Sequence, residues 1–540
     1  MTKNRLTILS SVSFIILAFA NGNARLQNPL SSPSEARPEI DDAGWTELAP
    51  SADSLEIYIS SSTGDDRNSG LTATQPKRTL AAGVRLLRNR KPDWLYLRRG
   101  DTWAESFPDW RKSGRSPAEP LVVSSYGPSK ERPRLNTGTA SAIRITRGLV
   151  EDVAFTGFSA IAHKYDGENG KPIGVFIYNR GRRILFEDCL VQGYKDNFVV
   201  QGTPSVISED IKIRRCVIVD AYSTTPAHAQ GIFAIHCNGL VIEENVFDHN
   251  GHRADVPGAD PTIFNHNIYL QDRNANMVAT GNIIARGSSH GAQFRSGGEV
   301  RDNLFLENAI NLLVGSSYKN NSEGVPATVI GNVVLGGRDI GRQALGRGIH
   351  FQNISGGVGK DNIVAHNLLG TWAQATFFDG DIVGIRDFLF EGNITYDWDD
   401  GIHLATNKLT GVVINNNEIQ DHGGNPLVKN NQGNSASGVA WSKNRYYSTA
   451  PESKWFFDGP GGMGYRSWIR RVSARESVAE QVEYPNAMRT IVDYDRSSPD
   501  PGIGTLASFM DEARKQSKSH WRPKYTASEA IKFFRASFGR

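Results

Sequence analysis

From Val153 onward, short stretches alternate apolar and polar residues with a period of two, break on an Asn or Cys, and resume with two apolar residues. The pattern is plain in Ile184–Val191, Ile211–Ile218 and Leu240–Phe247, which turn on Cys189, Cys216 and Asn245. It recurs around Asn282, Asn303, Asn332, Asn362, Asn393 and Asn417. These nine markers are spaced by 27, 29, 37, 21, 29, 30, 31 and 24 residues, the period of a solenoid. Two short strands flanking a turn residue, with no helical periodicity, predict one coil of a parallel β-helix per copy. Leucine-rich and all-helical repeats lack this alternation, and a propeller blade needs four strands, more than such intervals supply. Asparagines stacked at one bend can bond to each other and to backbone. Cys189 and Cys216 then fill the same slot as packed residues, not as a redox pair.

The segments on either side do not repeat. Glu56–Ile59, Trp94–Leu97 and Leu121–Val123 read as strands, and Thr79 is placed to cap a helix through Asn89. Leu80, Val84, Leu86 and Leu87 give that helix an apolar side suited to covering the bare end of a sheet stack. After Asn430 the repeat fades into an aromatic cluster from Trp441 to Phe457, and short helices are expected over 503–517 and 526–536. The expected organisation is an all-β solenoid of about ten coils over 131–430. An entry and cap segment (55–130) precedes it, and a C-terminal capping extension (431–540) follows. Lys3 and Arg5 before the apolar run Leu6–Ala20, with small residues at 22–24, have the layout of a secretory signal peptide over 1–24. The run is short of the roughly 20 residues a spanning helix needs. A secreted or periplasmic protein is therefore expected, with no membrane partner after signal removal, and residues 25–54 read as a flexible lead-in.

Composition changes this picture in three places. The chain has 54 glycines in 540 residues, a load that suits a fold with several sharp corners per coil. Three cysteines cannot form a disulfide framework. Sixty basic against 57 acidic side chains give no argument for a nucleic-acid partner, and a monomer is expected.

Candidate chemistry concentrates in the longest interval. Between Asn245 and Asn282 lie His249, His252, His266, Tyr269 and Arg273; His228 and His236 precede them, and His290 and Arg295 follow. His266 to His290 is 24 residues and Tyr269 to Arg295 is 26, each close to one coil. That spacing places His266, Tyr269, His290 and Arg295 on one groove as catalytic candidates, provided the register does not slip by one residue. His228, His236, His249, His252 and Arg273 are candidate substrate-binding residues around them. A second constellation comprises His350, Asp397, Asp399, Asp400 and His403, where paired acids beside a histidine suit sugar binding or glycoside hydrolysis. No cofactor is certain. Asp248, Asp255, Asp260 and Asp272 raise calcium, although their spacing matches no compact loop motif, and the lone pair His236-Cys237 argues weakly for zinc.

An elongated groove suits a polymer. For an acidic, uronate-containing polysaccharide, Arg295 would neutralise the carboxylate while His266 or Tyr269 moves the C5 proton and Tyr269 protonates the leaving oxygen. The leading reading is a polysaccharide lyase acting by β-elimination. A glycoside hydrolase using the Asp397–Asp400 region, a uronate C5-epimerase and a non-catalytic adhesin-like β-helix are the alternatives.

Tyr58–Gly70 followed by Gln75–Leu80 resembles the entry segment of bacterial right-handed parallel β-helix proteins of the pectate-lyase-like superfamily, and the resemblance covers roughly 55–430. It implies a right-handed coil. It does not choose an activity, since that superfamily contains lyases, hydrolases and epimerases. His266–Arg301 is similar, more loosely, to the catalytic coils of mannuronan C5-epimerases, where an Asp-Pro-His element is followed a coil later by His-Gly and an Arg. His290-Gly291 and Arg295 match the second part; Asn265–Tyr269 stands in the place of the first, without its acid and proline. What this resemblance implies is the shared first step, proton abstraction at C5.

Overall fold

Alternating apolar residues can be buried on one side of every strand if successive strands stack in parallel and the chain turns three times per coil. The computed structural model, which describes residues 38–317, 323–367, 369–431, 438–497 and 504–540, shows this arrangement. The expected signal peptide and the lead-in up to residue 37 lie outside the described residues. Three long parallel sheets form a right-handed β-helix. Sheet 1 runs from Glu56–Ile59 to Val439–Ser442, sheet 2 from Thr102–Trp103 to Val478–Ala479, and sheet 3 from Ile143–Ile145 to Phe456–Asp458 and its closing hairpin. A representative coil passes through Val241–Glu243 in sheet 1, Val246–Asp248 in sheet 2 and His266–Leu270 in sheet 3. Inward side chains stack on their counterparts one coil away, as Phe155 does on Phe186 at 5.1 Å between ring centres.

The bend between sheets 1 and 2 carries the markers. Asn245, Asn282, Asn303, Asn332, Asn362, Asn393, Asn417 and Asn444 form an unbroken ladder in which each Nδ2 donates to the next Oδ1 at 2.8–3.0 Å. The backbone N–H of Cys216 donates to Asn245 Oδ1 at 2.9 Å, so the cysteine slot joins the same ladder. Cys189, Cys216 and Cys237 are all buried and free. The residue before each marker is left-handed, yet it is Glu244 (φ 54°), Asp302 (50°) or Asp361 (54°) as readily as Gly281 (66°).

Glycine alternates with a larger residue at the other bend. Immediately after the first residue of successive sheet-3 strands stand Gly231, Asn267, Gly291, Asn311 and Gly348 in alternation. A Cβ on Gly291 would lie 2.5 Å from Asn311 O and 3.0 Å from the Asn308 amide. The space left by the glycines admits a second ladder, Asn197–Asn250–Asn267–Asn308–Asn311, with amide contacts of 2.9–3.2 Å.

The stack begins at Glu56, not near residue 131: Glu56–Ile59 pairs with Trp94–Leu97, which continues into the repeat. Among the described residues sheet 1 therefore has fourteen strands on its main path, more coils than the marker spacing predicts. Helix α1 (Leu80–Leu86) closes this end, with Thr79 Oγ1 accepting from Ala82 N at 3.1 Å. It lies so close to the first coil that a Cβ on Gly83 would sit 2.6 Å from Ile59. At the other end, α2 (Tyr465–Arg471) lays Trp468 on Phe456, with ring centres 5.1 Å apart.

The remaining C-terminal chain, with α3 (Ile491–Ser497), α4 (Leu506–Ala513) and α5 (Ala527–Ser537), covers the outward face of sheet 2. Phe509, Met510, Ile531 and Phe534 bury the row that includes Val217, Ile283, Leu304 and Val333. Arg514 crosses this seam to Asp220 (2.8 Å) and fully buried Asp248 (2.5 Å). Residues 38–54, expected as flexible, are instead held down. Trp45 is buried beside Trp521 and under Arg215, and Arg214 and Arg215 donate to Gly44 O and Ala43 O at 2.8 and 2.7 Å. Among the described residues no helix is long and apolar enough to cross a membrane.

Asn332 is fully buried and both accepts and donates within the ladder. Asn332→Ala leaves neighbouring donors and acceptors unpaired, and we expect a loss of about 2–3 kcal/mol. A lowered midpoint in urea unfolding checks it; an unchanged midpoint contradicts a structural role for the ladder.

Candidate functional site

In sheet 3, burial of Ile268, Leu270, Ala292 and Phe294 points their neighbours outward, so each strand contributes to rows running along the helix axis. One row runs His266, His290, Ile310, Arg347, Gln374, Asp400; the next runs Tyr269, Gln293, Leu313, His350, Phe377, His403. Arg295, Gln352 and Asp379 stand two residues further along their chains on the same face.

His266 and His290 are each 4% exposed, with ring centres 4.7 Å apart. Burial, reinforced by nearby Arg295, holds His266 down to about 3. Burial, with His266 alongside, also keeps His290 well below the usual histidine range. Both rings are therefore neutral at pH 7. Their hydrogen bonds assign the tautomers. Gln293 Nε2 donates to His290 Nε2 at 3.2 Å, leaving the His290 proton on Nδ1, 2.7 Å from Ser289 Oγ and 3.2 Å from His266 Nδ1. The His290 backbone N–H also points at His266 Nδ1, at 3.4 Å. His266 Nδ1 is thus an acceptor, and its proton is on Nε2. Tyr269 packs edge-on against the His266 ring at 5.0 Å.

Arg295 NH1 donates to Gln352 Oε1 at 2.5 Å, and Gln352 Nε2 donates to Asp379 Oδ2 at 3.1 Å. Arg295 spans the intervening coil because the residue there is Gly315, with φ 137° and no side chain to obstruct it. His350 Nε2 lies 3.5 Å from Asp379, Arg347 NH1 approaches His350 Nδ1 at 3.4 Å, and the Arg347 guanidinium covers Phe377 at 4.1 Å. Burial brings His350 down to about 4 against the opposing pull of Asp379. The face thus offers neutral imidazoles for proton transfer or hydrogen bonding, a phenol, and two guanidinium groups able to receive a carboxylate.

The structure brings His266, Tyr269, His290 and Arg295 together, with exposed His228 at the rim, its Nδ1 3.0 Å from Phe264 O. His350, Asp400 and His403 lie further along the same face. The other candidates are elsewhere. His236 turns the chain out of sheet 3 at φ 51°, and Arg273 is exposed in the following turn. His249 faces Arg514 at 3.1 Å beside sheet 2, and His252 is buried near it, pushed to about 3 by burial. Asp397 accepts from His422 N (2.8 Å) and Asp399 from Ala373 N (2.7 Å). These bonds hold the bend ahead of the strand and separate both acids from Asp400. Asp248 is occupied by Arg286 and Arg514, and Asp255 pairs with Arg253. Among the described residues no three His, Cys, Asp or Glu side chains converge as metal ligands.

Arg347, Gln293, Gln352 and Lys429 are groove residues that spacing alone missed. A signal was present for some of them: Gln230-Gly-Ile-Phe, His290-Gly-Ala-Gln, Arg347-Gly-Ile-His and Asp400-Gly-Ile-His share a frame in which the first and fourth residues face outward. The glycine marks the tight bend beneath them.

The family model for the right-handed β-helix region matches residues 156–325. No curated protein matches the chain in sequence. Among solved structures, a rhamnogalacturonan lyase is 12% identical with a TM-score of 0.35, over 86% of this chain and 99% of that one. A mannuronic acid specific polysaccharide family 6 lyase from human gut microbiota is 13% identical (TM-score 0.41; 75% and 88% covered). The A-module of a mannuronan C-5 epimerase from Azotobacter vinelandii is 10% identical (TM-score 0.36; 72% and 91% covered).

His252, His266 and His350 titrate below the usual 6.5 when folded. The unfolded chain therefore takes up protons first as pH falls. Their contribution to stability is complete above about pH 6.5 and is lost progressively toward about pH 3. We expect the Tm to fall across that window, and His252→Gln, distant from the groove, to flatten part of the fall. A Tm independent of pH there contradicts the buried, neutral assignment.

Proposed function

We propose that this β-helix is a polysaccharide lyase that cleaves a uronate-containing polymer by β-elimination in the sheet-3 groove, outside the cytoplasm. The observation that carries the reading is the placement of two neutral, buried histidines and Tyr269 beside Arg295 on one outward face. A polymer lying along the helix axis crosses one strand about every 4.8 Å. Arg295, braced by Gln352, receives the carboxylate of the reacting unit, so charge that develops as the C5–H bond weakens is met by a fixed cation.

The assigned tautomers move the base away from His266. With Nδ1 engaged and the proton on Nε2, His266 acts as a hydrogen-bond donor, and proton transfer falls to Tyr269. Once its own proton has passed to solvent, the Tyr269 oxygen takes the C5 proton. The freed pair forms the C4–C5 double bond as the C4–O bond breaks, and the leaving oxygen receives the proton from Tyr269. Atoms and charge balance with no added reagent, and the product is an unsaturated uronate end plus a new reducing end.

Incubation with polygalacturonate, polymannuronate and polyguluronate, following the absorbance of the unsaturated product alongside reducing ends, tests the reading. Tyr269→Phe and Arg295→Ala should each lower kcat by about 100-fold or more. Reducing ends without unsaturated product would mean hydrolysis. Solvent exchange at C5 without cleavage would mean epimerisation, and binding without turnover would mean an adhesin-like protein.

A further inference from the structure

Four strands beyond His290 along sheet 3 is a second polar cluster that takes no part in this chemistry. Asp400 is 1% exposed and accepts from His403 Nδ1 at 2.8 Å. Asn431 Nδ2 lies 2.8 Å from His403 Nε2, and Lys429 Nζ is 3.7 Å from Asp400. Beside them the Trp372 indole is 56% exposed, with Lys429 Nζ 5.1 Å from its ring centre.

Trp372 is costly to present in this way. Its backbone is left-handed, at φ 68°, a conformation that bulky residues avoid and that persists only where the surroundings enforce it. The enforcing groups are visible on both sides. Asp339 Oδ2 accepts from Thr371 N and Oγ1 at 3.0 and 2.6 Å, and Asp399 accepts from Ala373 N at 2.7 Å. Gln374 Nε2 then donates to Trp372 O at 2.7 Å. Asp339 and Asp399 are positioning residues for an exposed aromatic ring that buries nothing of the core.

We infer that Trp372, Lys429, Asp400 and His403 form an anchoring subsite for a pyranose unit of the same polymer, roughly 19 Å from His290 by four steps of about 4.8 Å. The inference rests on the reading of the groove as a polysaccharide site. The two ends differ in chemistry. Arg295 and Arg347 face one carboxylate, Asp379, and suit an anionic sugar. At the far end Lys429 is already matched by Asp400, and Asp400 and His403 lie buried beneath it, so the groups open to a ligand are the Trp372 ring, the Lys429 ammonium and the Asn431 amide. That set recognises the C–H face and hydroxyl groups of a sugar ring, not its carboxylate. The enzyme would thus grip the polymer at two points, one selective for carboxylate and one indifferent to it.

Calorimetric titration of the full chain with mannuronate and galacturonate oligomers of increasing length tests this at low and high salt. We expect affinity to step up about tenfold or more once an oligomer bridges both ends, with the step surviving high salt. Trp372→Ala should abolish the step, Trp372→Phe should restore most of it, and Lys429→Met should reduce it. A Trp372→Ala protein that titrates like wild type at every length overturns the anchoring subsite while leaving the uronate reading intact. A step that disappears at high salt overturns the carboxylate-indifferent assignment. Failure of wild type to bind any oligomer overturns the uronate reading, and this inference with it.

Discussion

The structure depends on one constraint: each coil must pair with the next in a single register, because a slip of one residue would turn every outward side chain inward. Backbone pairing alone tolerates such slips. The buried amides do not, since each Asn in the ladder from Asn245 to Asn417 must meet the Oδ1 of its neighbour and a backbone carbonyl at the same time. A shifted coil would strand these groups without water, at a cost comparable to several ordinary interactions. Specificity of register is therefore carried by polar groups in an otherwise apolar interior, and the apolar stacks supply the bulk of the burial.

The second ladder extends this control to the groove. Asn267 is the residue after His266, and Gly291 the residue after His290; the Asn267 amide sits over Gly287, and the Asn308 amide it bonds to sits over Gly291. The outward rows are thus set from beneath, within the bend that launches each strand. This explains how two imidazoles come to lie 4.7 Å apart and remain uncharged. The cationic character of the face is left to Arg295 and Arg347, whose guanidinium groups hold their protons in any environment.

Most of the fold was legible because period-two alternation and a repeated turn residue are local signals that survive variable loop lengths. The first coils were not, since strands such as Trp94–Arg98 and Leu121–Tyr126 join sheet 1 without an Asn or Cys marker. The lead-in misread has a similar cause: a polar, proline-containing stretch is anchored by Trp45 and by arginines more than 160 residues away, contacts that no local pattern announces. At the site, one-coil spacing paired His266 with His290 correctly but drew in His249 and His252. These occupy the same interval in sequence and the sheet-2 side in space. Arg347 escaped notice because the loop before it lengthens that coil, although its His-bearing frame repeats that of Asp400.

Solenoids ordinarily behave as one-dimensional chains, in which each repeat feels only its neighbours and the ends fray first. The C-terminal segment alters that behaviour here. It leaves the last coil after Val478–Ala479, contacts the first third of the helix through Arg132 with Gln516 O and Lys518 N with Asp188, and returns to Glu418 through Arg540. Coils widely separated along the axis thereby share a common partner. Opening any one of them exposes part of a surface that all of them hold together. The same closure has a consequence for synthesis: the seam can form only after the final residues have emerged.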